Sequence, residues 1–72
     1  MERRPVLEHL AEADRHVALS DRHISRQVEI IDELLRAGHP TSLAQDVLTT
    51  YRALRATHIA HRDMIRDELR QA

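Results

Sequence analysis

The side chains of this 72-residue chain best suited to chemistry are its six histidines, and they fall at helical spacings. His58 and His61 stand three residues apart, which on a helix places them on one face, a turn from each other. Neutral imidazole is a good ligand for zinc, copper, iron and nickel, so such a pair is the start of a metal site. His9, His16 and His23 recur every seven residues, and on a helix they form a line along one flank. His16, His23, His58 and His61 together are the candidate metal ligands. The competing reading is structural: hydrogen-bonded histidines inside a helical bundle fix register at some cost in stability. No Glu-x-x-His pair of the di-iron bundles accompanies them. His39 sits apart from the others, in a breaker cluster, where solvent is its expected surrounding.

Two helices must position these residues. Gly38-His39-Pro40-Thr41-Ser42 is the one break in the hydrophobic periodicity. Its glycine, the only one in the chain, suits the left-handed residue that ends a helix. Pro40 cannot continue that helix. Before the break, Leu10, Val17, Ile24 and Ile31 recur every seven residues, with Val6, Ala13, Ser20, Gln27 and Leu34 three residues after the preceding members of that series. Leu7, Val28 and Leu35 widen this stripe, and Leu19 lies outside it. After the break, a 3-4 alternation runs through Ala44, Val47, Tyr51, Leu54, His58, His61, Ile65 and Glu68, flanked by Leu43, Leu48, Met64 and Leu69. Both periods are helical. The expected fold is all-α, an antiparallel hairpin in a single domain spanning 1–72. Its first helix covers 5–37, its hinge 38–41 and its second helix 42–71. Pro5 fits a first helical turn, and Ser42 with Gln45 reads as a capping box at the start of the second helix.

Antiparallel pairing about the hinge sets His16 opposite Asp63 and His23 opposite Ala56. A polar belt then separates two apolar ends, with His16, Ser20, Asp21 and His23 facing Arg55, His58, His61 and Arg62. Bundles build their ligand and metal sites from such facing side chains. Ser20, Asp21 and His23 are the residue types of a hydrolase triad, but they crowd one helix without an oxyanion-hole loop. No phosphate-cradling glycine loop is possible with one glycine. An enzyme is therefore not expected.

Composition narrows the partners. Twelve acidic residues face eleven basic ones, all arginine, for a formal charge of -1. That balance argues against nucleic acid, which selects a clear positive excess. Tyr51 is the one aromatic residue, so stacking platforms for bases are lacking as well. The absence of cysteine removes disulfides and thiolate metal sites. No apolar run approaches the length of a membrane span, and a cytoplasmic address is expected. A hairpin this small has little core of its own, whereas its stripes are wide enough to meet two neighbours. Dimerisation into a four-helix bundle satisfies both facts.

The run Ala11-Glu12-Ala13-Asp14-Arg15-His16-Val17-Ala18, the Ile24–Ile31 segment with Gln27, the Gly38-His39 hinge and His58-Ile59-Ala60-His61-Arg62 resemble small uncharacterised helical-hairpin proteins of GC-rich bacteria. The resemblance covers nearly the whole chain and implies a fold, with no activity and no functional residue to carry over. In shape alone the chain is also similar to Rop, a plasmid RNA-binding hairpin that dimerises. The expected function is that of a small homodimeric helical bundle, coiled-coil in character, that binds another protein as an adaptor or regulator, with no cofactor. The alternatives are a histidine-rich bundle binding zinc, another transition metal or haem through His58 and His61, and a Rop-like RNA binder.

Overall fold

A computed structural model describes residues 3–71 as two long helices folded back on each other. Helix α1 spans Arg4–Arg36 and helix α2 spans Ser42–Gln71, and the two pack along their length. No strand occurs among the described residues, and no helix there is long and apolar enough to cross a membrane. The Cα trace is a rod of 57 × 14 × 12 Å.

The hinge is made by Gly38. Its φ of 72° lies in the left-handed region, where a side chain is strained. That conformation lets the Gly38 amide donate to the Leu35 carbonyl at 3.1 Å and the His39 amide to the Leu34 carbonyl at 2.9 Å, a Schellman closure of α1. A Cβ on Gly38 would meet nothing within 4 Å, so the cost of alanine there is conformational alone. Gly38→Ala is expected to destabilise the protein by about 1–2 kcal/mol, and Gly38→Asn by less, in denaturant melts.

The start of α2 differs from the expected capping box. Ser42 is already helical, and the turn closes when the Gln45 amide donates to the Thr41 backbone carbonyl at 2.8 Å. Thr41 is thus the capping position. Neither the Ser42 hydroxyl nor the Gln45 side-chain amide makes a capping bond. The helix therefore begins one residue earlier than a Ser42 cap would set it, directly after the hinge that Pro40 closes.

The seam between the helices is thin. Ala13, Val17 and Ile31 on α1 and Leu48 and Ile65 on α2 are the buried apolar residues, and no side chain falls below 2% exposure. Ser20 and Gln27 are buried with them. The Ser20 hydroxyl donates to the His16 carbonyl at 2.9 Å, and the Gln27 amide nitrogen donates across to the Ala44 carbonyl at 2.9 Å. Gln27 is the one buried polar side chain that bonds between the helices, next to the hinge, where it pins their register. Gln27→Ala should lower stability by about 1–2 kcal/mol, read from thermal melts, since it removes both the bond and its packing.

On α1 the seam follows the expected heptad. On α2 it does not. The line Ala44, Tyr51, His58 and Ile65 faces α1 as expected, but its companions are Leu48, Arg55, Arg62 and Leu69, all buried or half-buried. Leu54, His61 and Glu68, expected in the core, are exposed instead. Arg55 and Arg62 take core-edge positions because long aliphatic stems lie along the neighbouring helix while their heads reach acids. Arg55 bonds Asp21 on α1 at 2.5 Å, and Arg62, whose side chain is 22% exposed, lies 3.3 Å from Asp63.

The contacts differ between the flanks. His16 meets His58 and His23 meets Tyr51, each partner nearer the hinge than the even pairing that set His16 against Asp63, whereas on the other flank Asp14 lies by Arg66, close to that pairing. The long Gln27 side chain likewise reaches toward the hinge, to Ala44.

Candidate functional site

The seam on α1 separates two flanks of opposite chemistry. On one flank, Leu7, Asp14, Asp21, Val28 and Leu35 follow each other every seven residues. Asp21 pairs there with Arg55, and Asp14 lies 3.8 Å from Arg66. On the other flank stand His9, His16, His23 and Ile30, again seven apart. Their counterparts on α2 are Tyr51, Leu54, His58 and His61. The hairpin therefore has an acid-arginine face and a histidine face.

Two adjoining grooves run along the histidine face and share His16. The central one, about 180 Å³, is lined by His16, Leu19, His23, Tyr51, Leu54 and His58. The second, about 270 Å³, lies toward the open end between His9, Glu12, Ala13, His61, Ile65 and Glu68. Five of the six histidines thus line one face, whereas His39 is exposed in the hinge.

The four candidate ligands divide between these grooves. His16 and His58 come together across the seam, with ring centroids 5.2 Å apart and planes tilted by 54°. The Glu12 carboxylate lies 3.9 Å from His16 Nε2. His23 packs on Tyr51 instead, with centroids 5.3 Å apart. His61 is rotated away from the central groove into the second one. The helical neighbours His58 and His61 consequently line different grooves, and the pair that meets is drawn from both helices. Among the described residues, no group of three or more histidines and carboxylates is gathered closely enough to hold a metal ion within one chain. The polar belt set His16 and His58 on facing helices, and which of its members meet depends on the register and on the choice of flank, not on spacing within either helix.

Leu19 also changes place. Outside the apolar stripe by heptad position, it lines the central groove beside Leu54, and the two are 47% and 49% exposed. The Ser20, Asp21 and His23 combination is not assembled. The Ser20 hydroxyl is held by its own helix, Asp21 faces Arg55 on the opposite flank, and His23 lies on Tyr51.

Charge elsewhere stabilises the helices and leaves the grooves alone. Arg26 bridges Glu29 at 3.1 Å and Glu33 at 3.3 Å, and those hydrogen bonds raise the pKa of its guanidinium above the ordinary arginine value. Asp32 with Arg36 at 2.6 Å and Asp67 with Arg70 add exposed pairs of small energetic weight.

No family model, curated protein or solved structure matches the chain.

Proposed function

We propose that the hairpin is a homodimeric four-helix-bundle protein that works by binding, as an adaptor or regulator of another protein, and that its histidine face is the surface joining the two copies. The observation that carries this reading is the area left uncovered. The chain exposes 5569 Å², while a folded monomer of 8.4 kDa is expected to expose about 4,600 Å². The excess, about 950 Å², is close to the ~800 Å² that each partner contributes to a standard protein interface.

Charge selects the face. Pairing through the acid-arginine face would bury Asp14, Asp21, Arg55 and Arg66, and desolvating ion pairs costs as much as their attraction returns. The central groove on the histidine face carries no aspartate, glutamate or arginine and offers Leu19, Tyr51 and Leu54 for burial, with Glu12 and Glu68 set in the second groove toward the open end. Two copies joined there leave Leu7, Val28 and Leu35 uncovered on the outer face, at 48%, 46% and 61% exposure. Val28 and Leu35, two turns apart near the hinge and separated from Leu7 by Asp14 and Asp21, are the apolar pair such a dimer would offer a further protein.

Sedimentation equilibrium of tag-free, chelator-treated protein tests the assembly. The expected mass is twice 8.4 kDa at micromolar concentration, with a Tm that rises with protein concentration. A mass of one chain with a concentration-independent melt would refute it.

A further inference from the structure

We infer that His16 and His58 are half of a transition-metal site, completed by the same two residues of a second copy, so that one zinc-class ion sits on the two-fold axis of the dimer. This rests on the dimer reading above. Three observations lead to it.

The first is the geometry of the pair. Two imidazoles bound to one tetrahedral zinc through nitrogens at ~2.0–2.1 Å have their ring centroids about 5 Å apart. His16 and His58 stand at 5.2 Å with planes tilted by 54°, the centroid separation that a shared ion requires. The second is the ligand count. One chain brings together two imidazoles and no third histidine or carboxylate at ligand distance. Structural zinc sites are four-coordinate, and the site is therefore incomplete without another donor pair.

The third is position. The groove holding His16 and His58 lies near the middle of both helices, Arg4–Arg36 and Ser42–Gln71. A two-fold axis perpendicular to the rod brings mid-helix residues closest to their own copies, whereas residues near the ends, such as His9, are carried far apart. Glu12 lies 3.9 Å from His16 Nε2, a side-chain adjustment short of accepting from that nitrogen, and such a bond would leave Nδ1 to the ion with a carboxylate orienting the ring. The donor set is all nitrogen. Imidazole suits zinc, nickel, copper and iron, and zinc is the one of these whose ordinary coordination is tetrahedral.

The probe is zinc itself, with cobalt as its visible stand-in, added to the tag-free, chelator-treated full chain. Calorimetric titration should give one ion per two chains. The cobalt form should show the absorption of a tetrahedral nitrogen-ligated centre. His16→Gln and His58→Gln should each weaken binding at least about a hundredfold, beyond the effect of losing an outer-shell partner. His39→Gln in the hinge should leave it unchanged. Both altered histidines are at least partly solvent-accessible, so the variants are expected to stay helical, which circular dichroism checks. The cobalt spectrum of the unaltered chain reads the ligand set without any variant.

Absence of binding, one ion per chain, an octahedral cobalt spectrum, or affinity unaffected by His16→Gln and His58→Gln would each overturn the site. The rings would then be a packed pair and nothing more. Sedimentation of the chelator-treated protein reads the underlying assembly separately. A dimer that takes up no zinc removes this inference and leaves the dimer. A protein that stays monomeric with and without zinc removes both.

Discussion

Leu54→Asp is expected to convert the dimer into separate chains, weakening association by at least about a hundredfold. Leu54 is 49% exposed on the hairpin and lines the central groove. In a lone hairpin, a substitution at so open a site changes stability by no more than about 0.5 kcal/mol. At the centre of a two-fold interface it sets two unpaired carboxylates near each other in an apolar layer, at a cost of several kcal/mol. The same substitution therefore separates the two accounts. Leu19→Asp should behave alike, since Leu19 lines the same groove. Leu35→Asp is the control: more exposed at 61%, it stands on the opposite flank and should leave the dimer intact. Sedimentation velocity over a dilution series gives the dissociation constants. Equal behaviour of all three variants would show that neither face is an interface.

Ile31→Asp is expected to unfold the chain whatever its state of association. Ile31 is 8% exposed, in the apolar half of the hairpin that also holds Leu48 and Ala44. The substitution removes about 2 kcal/mol of side-chain burial and places a carboxylate where the seam offers it no partner. A core of this size supplies only about 3–5 kcal/mol, so the loss exceeds the whole. Far-ultraviolet circular dichroism should show helix content collapsing at room temperature. Ile31→Val, which keeps the shape and removes one methylene, should cost about 1 kcal/mol and leave the helices in place. A helical Ile31→Asp protein would mean that the seam near the hinge is open to water.

The hairpin was legible in the sequence because its signals are local. Gly38 and Pro40 end one helix within a few residues, and the heptads of α1 recur without interruption from Val6 to Leu34. The seam of α2 was half legible. Ala44, Tyr51, His58 and Ile65 are common to both candidate ridges, but the choice between Val47 and Leu48, or between Leu54 and Arg55, turns on which flank meets α1. Hydropathy favours Leu54 over Arg55. The fold chooses Arg55, because its guanidinium reaches Asp21 and its stem can lie along the seam. That rotation moved His61 out of the belt and Leu19 into the groove, and no pattern along a single helix contains it. The register behaves likewise. Gln27 bonding the Ala44 carbonyl is a contact between sequence-distant residues, as is the meeting of His16 with His58.

Isotope-filtered NMR on a mixture of labelled and unlabelled chains reads the contacts between two copies joined at the histidine face. The methyl groups of Leu19 and Leu54 and the ring of Tyr51 are expected to give nuclear Overhauser contacts between chains, and Leu7, Val28 and Leu35 none. Intermolecular contacts confined to Leu7, Val28 and Leu35, or absent altogether, would contradict a dimer joined at that face.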